Sequence, residues 1–267
     1  MLGMIAKPVN YYLVGGNPAA AAFPQSNVAN NDYGRVARIT AATTGLFTIY
    51  MDMEYAVTID AMALLWHNLR AGDTIQVQGA TSTANLNAGV GYNSGYVPAN
   101  TAFTARDYAV PGKFLITFQP QTYRYWRFVI QVSGAALPGG YIQISRALIM
   151  KQALFAIGPQ RVNIGAEDRN MRLQLESGEE RSSEDMLLIR PTCMLDFSYA
   201  KESELANVLG NYTLSMGSSK PMFICPDLTA SNLQDTIVFG RPTKVIEVSS
   251  DQYDIWKFQA QVTSIGP

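Results

Sequence analysis

Charge is scarce in this sequence. Only 15% of its 267 residues are Asp, Glu, Lys or Arg, and the formal net charge is −1. Polarity comes instead from Asn, Gln, Ser, Thr, Gly and Tyr. There is no basic stripe and no Lys/Arg cluster, so a nucleic-acid partner is not expected. Histidine is almost missing: His67, in "LLWHNLRAG", stands alone. Ser-His-Asp chemistry would have to use it, and no G-x-S-x-G elbow accompanies it. One histidine and two distant cysteines also leave few ligands for zinc. No catalytic residue, cofactor or metal is therefore expected. Cys193 and Cys225 read as buried free thiols, although spacing alone does not decide against a disulfide. No stretch approaches the roughly 20 apolar residues that span a bilayer, so no membrane partner is expected. The start, "MLGMIAKPVNYY", lacks a basic segment followed by a long apolar run. It reads as a protein made and folded in a cytoplasm.

What the sequence does have is strand periodicity. "YRYWRFVIQV" (123–132) and "YDIWKFQAQV" (253–262) both fit Tyr-x-x-Trp-[Lys/Arg]-Phe-x-x-Gln-Val. In an extended chain alternate side chains share a face. Trp126, Phe128, Ile130 and Val132 then line one face, with Tyr125, Arg127 and Gln131 opposite. Trp256, Phe258, Ala260 and Val262 repeat the pattern. Trp126, Phe128, Trp256 and Phe258 are the expected structural core of two sheets. Their flanking strands align poorly, so the echo reads as convergence.

Further strands are expected at 45–53, 55–66, 73–80, 112–118 and 140–150. Short strands without intervening helices indicate an antiparallel sandwich or barrel. Before them, residues 15–34 mix Gly, Pro, Asn and small residues, which favours turns and coil. Residues 1–32 are expected to form an extended arm lying on a neighbouring surface.

Composition shifts after residue 150. Residues 1–150 hold nine basic and six acidic groups, and residues 151–267 hold eleven and fifteen. The charged run 167–185 reads as a solvated hairpin or loop. One helix is expected at "SYAKESELANVLGN" (198–211), capped by Ser198 and stopped by Gly210. Strands are expected at 221–227, 235–240, 243–248 and 253–265. The resulting fold class is mainly β: an arm (1–32), a jelly-roll sandwich (33–155) and a smaller mostly β domain with one helix (156–267).

Carboxylate pairs occur at Asp52/Glu54 and Glu202/Glu204, the residue types that cleave sugar bonds. As exposed acidic pairs they carry little weight. A less ordinary feature is the uncharged stretch from Thr74 to Ala105. Within it lies a Gly/Asn/Tyr-rich loop (85–103), whose Tyr92, Asn93 and Tyr96 suit a protein interface or stacking on a glycan.

The run "YAVTIDAMALLWHNLRAGDTIQVQGA", then "YRYWRFVIQV" and "GYIQISRALIM", resembles the galactose-binding-like (discoidin-type) jelly roll over about residues 33–152. The whole chain, with "LDFSYAKESELANVLG", "PMFICPD", "IVFGRPTKVIEV" and "YDIWKFQAQV", resembles structural proteins of tailed-bacteriophage tail tips and baseplates, of the distal-tail-like kind. That resemblance implies a non-enzymatic virion protein. It would form a homo-oligomeric ring, contact other tail proteins and carry over no catalytic residue. The alternative is a carbohydrate-binding module that contacts a host-surface glycan.

Overall fold

A computed structural model describes residues 4–17, 19–30, 34–40, 45–70, 72–99, 112–132, 137, 140–155, 158–168, 172–174, 180–182, 189–208, 219–228, 236–243, 246–252 and 255–265. The fold is mainly β and antiparallel. The chain divides into two compact units, one spanning Ala6–Gln152 and the other Ala153–Pro267 together with Met1–Ile5.

In chain order the first strands are β1 (Met4–Pro8), β2 (Tyr12–Gly16), β3 (Ala37–Thr40), β4 (Gly45–His67) and β5 (Thr74–Ala80). They are followed by the short helix α1 (Thr83–Asn87), β6 (Tyr92–Pro98), β7 (Gly112–Val132) and β8 (Tyr141–Leu154). The strand order in this unit is β6-β5-β7-β4-β8, with β2 also on β4 and β3 also on β8.

The sequence predicts two strands at 45–53 and 55–66 and two more at 112–118 and 123–132. Each pair is one long strand, and β4 and β7 pair along almost their whole length. The expected breaks survive as β-bulges. The register shifts between Asp52 and Val57, where Glu54 adopts φ 65° and Asp52 Oδ1 accepts its backbone N–H at 2.8 Å. It shifts again between Ile59 and Ala61, opposite residues 118–120. Pro120 lies in that gap, where a residue without an N–H costs the ladder nothing. A bulge can reset which face a side chain meets. Phe47, Ile49, Met51 and Met53 are the core residues before the bulges, Ile59 lies between them, and Met62 and Leu64 follow. The parity changes from odd to even at the second bulge, yet one core is kept.

Trp126 is the centre of that core and has no exposed surface. Its ring lies 5.7 Å from Phe118, 5.8 Å from Tyr123 and 6.0 Å from Tyr92, centroid to centroid. Its Nε1–H donates to the Tyr123 carbonyl at 3.3 Å. Gly79 sits directly across from Trp126 on β5, and a Cβ there would lie 2.8 Å from the indole ring. Glycine is needed here for space.

The N-terminal residues are not a free arm. Met4, Ile5 and Ala6 are fully buried, β2 pairs with β4, and Tyr11 and Leu13 pack on the core. The Tyr11 hydroxyl donates to the Ala147 carbonyl at 2.8 Å and lies 3.1 Å from the Val28 carbonyl. A composition rich in Gly, Pro and Asn describes residues 15–34. It does not describe the residues before them, of which Met4, Ile5, Ala6, Tyr11 and Leu13 meet the chain's own core while Tyr12 and Val14 stay exposed. Within 15–34 a 3-10 turn forms at Gln25–Ala29.

The other unit contains β9 (Arg161–Asp168), β10 (Arg172–Gln174), β11 (Glu180–Ser182) and β12 (Ile189–Ala200). Helix α2 (Glu202–Val208), β13 (Met222–Cys225), β14 (Val238–Pro242), β15 (Val248–Gln252) and β16 (Ile255–Ser264) follow. Their order is β13-β14-β16-β12-β9, with β15 on β16. β10 and β11 pair antiparallel within the charged run. The inward row pairs Cys193 with Val262, Leu195 with Ala260 and Phe197 with Phe258. The Phe197 and Phe258 rings stack at 4.6 Å, and Phe155 lies 4.3 Å from Phe197.

Two expectations are corrected here. Trp256 is only partly buried, because a register shift between Phe197 and Ala200 moves it to the margin of the core. Helix α2 starts four residues later than expected, because β12 continues through Ser198 to Ala200. Its cap is Lys201, whose backbone N–H donates to Glu204 Oε2 at 2.9 Å. This is the reciprocal half of a capping box. Gly210 lies outside the described residues.

Trp126→Ala should cost about 3–5 kcal/mol in denaturant unfolding, as expected for a fully buried Trp. Trp256→Ala should cost clearly less. Gly79→Val should lower the melting temperature, and equal stability of that variant and the native chain would contradict the packing described.

Candidate functional site

In an antiparallel pair, directly opposite residues share a face. The face of β4, β7, β5 and β6 that points away from Trp126 can therefore be read rung by rung. One rung runs Tyr50, Arg127, Gln78 and Asn93, and the next runs Thr48, Val129, Gln76 and Tyr96. Gln76 and Gln78 are buried, Tyr50 and Arg127 are half-buried, and Asn93 and Tyr96 are exposed.

A continuous hydrogen-bond chain crosses this face. Arg127 Nη1 donates to the Tyr50 hydroxyl at 2.7 Å and to Asn87 Oδ1 at 3.1 Å. The Tyr50 hydroxyl donates in turn to Asn87 Oδ1 at 2.7 Å. Arg127 Nε donates to Gln78 Oε1 at 2.6 Å, and Gln78 Nε2 donates to Gln76 Oε1 at 2.7 Å. Gln76 Nε2 donates to Asn93 Oδ1 at 2.8 Å, which also accepts the Gly95 N–H. Short α1 brings Asn87 into the chain; Ser82 caps it by accepting the Asn85 N–H. Such a chain orders each side chain through its neighbour, which holds donors and acceptors in place before a ligand arrives.

The expected interface loop is thus an edge strand preceded by a turn. Gly89, Gly91 and Gly95 take positive φ there, and Gly91 also passes close to the Gly79 carbonyl. The three residues singled out in it separate. Tyr92 turns inward, 4.7 Å from Phe118, and burial raises its pKa. Asn93 and Tyr96 face outward, and Tyr96 is 46% exposed. Residues 100–103 of that loop lie outside the described residues. Sequence reading missed Tyr50, Gln76, Gln78 and Asn87. Alternation had set Arg127 on the wet face, which was the one available signal.

The other titratable residues have structural environments. Asp52 is held by Arg124, Nε to Oδ1 at 2.7 Å and Nη2 to Oδ2 at 2.8 Å. That pairing lowers its pKa, so it is unsuited to act as a general acid beside Glu54. Glu202 and Glu204 occupy the first turn of α2, where acidic groups favour the helix dipole. His67 is buried, and desolvation pushes its pKa down to about 4. Its Nδ1 accepts the Leu69 N–H, and Nε2 has no partner among the described residues. Asp60 is buried at the second bulge and accepts the Gln152 N–H at 2.8 Å; desolvation raises its pKa to about 6. Cys193 and Cys225 are free and buried, and burial pushes both thiols up to about 12. Among the described residues no three His, Cys, Asp or Glu side chains gather as a metal site, and no helix is long and apolar enough to cross a membrane. An open groove of about 280 Å³ lies against Gly15, Gly16, Asn17, Pro24 and Gln25, and its lining holds no titratable side chain.

No family model matches the chain, and no curated protein matches it. Solved structures do share features with about half of it. Chitosan-binding module 1 of a chitosanase/glucanase from Paenibacillus sp. IK-5 has 17% identity and a TM-score of 0.36 over 53% of this chain and 96% of its own. CBM32-3 from a family 31 glycoside hydrolase of Clostridium perfringens has 12% identity and a TM-score of 0.43, over 53% and 90%. The family 32 CBM from C. perfringens NanJ, solved in complex with galactose, has 11% identity and a TM-score of 0.36, over 55% and 93%. Likeness at this level decides neither fold nor function. None of the comparisons supports the tail-tip resemblance.

Asp60 should penalise the folded state at neutral pH. Its raised pKa means the folded chain holds this proton more tightly than the unfolded chain. Stability is therefore lost as pH rises from about 4 through about 6. Asp60→Asn should stabilise the protein at pH 7, on the order of 2–3 kcal/mol, with the gain vanishing near pH 4. Chemical denaturation at both pH values checks this. The two thiols should react with a thiol reagent only on unfolding, and rapid labelling of the native protein would contradict their burial.

Proposed function

We propose that the Ala6–Gln152 unit is a non-enzymatic carbohydrate-binding module and that the outer face of β4, β7, β5 and β6 is its binding surface. The observation that carries this reading is the pairing of exposed Tyr96 with the preordered chain Asn93–Gln76–Gln78–Arg127–Tyr50–Asn87. Sugar recognition needs an aromatic face for the apolar side of a ring and fixed polar groups for its hydroxyls. Strands hold both more firmly than a loop would. The lack of charge from Thr74 to Ala105 suits a ligand rich in hydroxyls. Tyr96→Ala should leave the melting temperature nearly unchanged and weaken glycan binding about tenfold, a loss near 1.4 kcal/mol. Glycan-array screening followed by calorimetry is the test. Unchanged binding would remove Tyr96 from the site.

A second reading keeps the chain as a virion structural protein of a phage tail tip that assembles with copies of itself and with tail proteins. It is favoured by exposed apolar side chains on β2 and β4: Tyr12 at 60%, Val14 at 48% and Leu46 at 55%. Deleting residues 1–30 would remove Met4, Ile5 and Ala6 from buried positions, so it would confuse assembly with folding. Tyr12→Ser with Val14→Ser tests the surface alone. Under this reading the double variant should lose self-association in sizing while keeping its fold. A monomeric native protein would end it.

A further inference from the structure

We propose that the ligand of this face carries a carboxylate and that Arg127 receives it, so the module selects acidic sugars over neutral ones. The inference rests on the carbohydrate-binding reading above and deepens it.

Arg127 is half-buried on strand β7, and its partners are all uncharged. A guanidinium has five N–H groups. Gln78 Oε1 takes the one on Nε, and the Tyr50 hydroxyl and Asn87 Oδ1 take those on Nη1. Among the described residues nothing bonds to Nη2. The Tyr50 ring packs 5.4 Å from the guanidinium carbon, which further fixes the plane of the group.

The nearest acidic residue on this face by register is Asp52, one rung beyond Tyr50. Arg124 already holds both its oxygens. From Thr74 to Ala105 no other acidic group is present in β5, α1 or β6. Among the described residues, then, no carboxylate on this face balances Arg127. Neutral acceptors orient it without cancelling its charge, and the attraction of such a fixed, partly desolvated guanidinium for an anionic oxygen is strong. A fork held on one side by three neutral acceptors, with no partner for its remaining amino group among the described residues, suits a carboxylate. Tyr96, two strands away on β6 and one rung along, would stack on a ring of the same ligand.

The test measures binding of the full chain to two matched pairs: sialyllactose against lactose, and oligogalacturonate against neutral galacto-oligosaccharide. The expected result is about tenfold or greater preference for the acidic member of at least one pair, weakening as salt rises. Arg127→Gln should erase that preference and leave residual binding of the neutral sugar. Asn87→Asp provides a second route, because it sets a carboxylate beside an unaltered Arg127. It should erase the preference even if Arg127→Gln folds poorly. Tyr96→Ala should weaken both members alike. Equal binding of acidic and neutral sugars that still depends on Tyr96 overturns this inference and leaves the carbohydrate-binding reading standing. An acid preference that survives both Arg127→Gln and Asn87→Asp also overturns it. Binding to none of the four probes overturns the inference and counts against the reading beneath it.

Discussion

The antiparallel pairing of β4 with β7 organises the N-terminal unit, and the bulges in that pairing govern what it can do. A regular strand of 23 residues would keep one face throughout. Here the chain bulges at Glu54 and again at Ile59, opposite Pro120, and the large side chains of β4 in this core pass from odd positions (Phe47 to Ile59) to even ones (Met62, Leu64). One strand pair can thus line its core with two stretches of different register. Between the first bulge and the C-terminal end of β7, the opposite face stays free to hold Tyr50 and Arg127.

The two sides of β7 depend on one another. Trp126 faces in and Arg127 faces out, one residue apart. Packing Trp126 against the bare backbone of Gly79 brings β5 to the register that sets Gln78 beside Arg127. The same registration turns Tyr92 of β6 toward the indole and Asn93 outward to Gln76. The aromatic cluster and the polar chain are therefore two faces of a single alignment of strands. This is why the polar groups can be ordered without any charge partner of their own.

The related motif in β16 shows how context decides the outcome. Phe258 is buried like Phe128, and the alternation is the same. Yet the residue matching Arg127 is Lys257, which is exposed, and Trp256 lies at the margin of its core. A lysine offers no planar fork, and no row of amides stands beside it on β15 or β12 in the paired positions. Two strands of one sequence pattern both bury their Phe and differ in how deeply the Trp sits and in what their outer faces hold.

Much of the fold was legible from local pattern alone. Period-two alternation of apolar residues gave the strands, the mainly β class and the inward placement of Trp126 and Phe128, because burial of one face is enough to impose that period. It also put Arg127 on the outer face. Strand continuity was not legible: Glu54 and Pro120 look like breaks in sequence and become bulges once a partner strand supplies the missing hydrogen bonds. Nor was the burial of Met4 to Ala6, whose fate depends on residues more than a hundred positions away. The polar chain from Asn87 to Asn93 lies furthest from sequence reading. Its members come from β4, α1, β5, β6 and β7, and only the register between those strands makes them neighbours. Alternation is a property of each strand, and sequence therefore determines it. The company each side chain keeps across strands follows from pairing, and tertiary structure alone decides that.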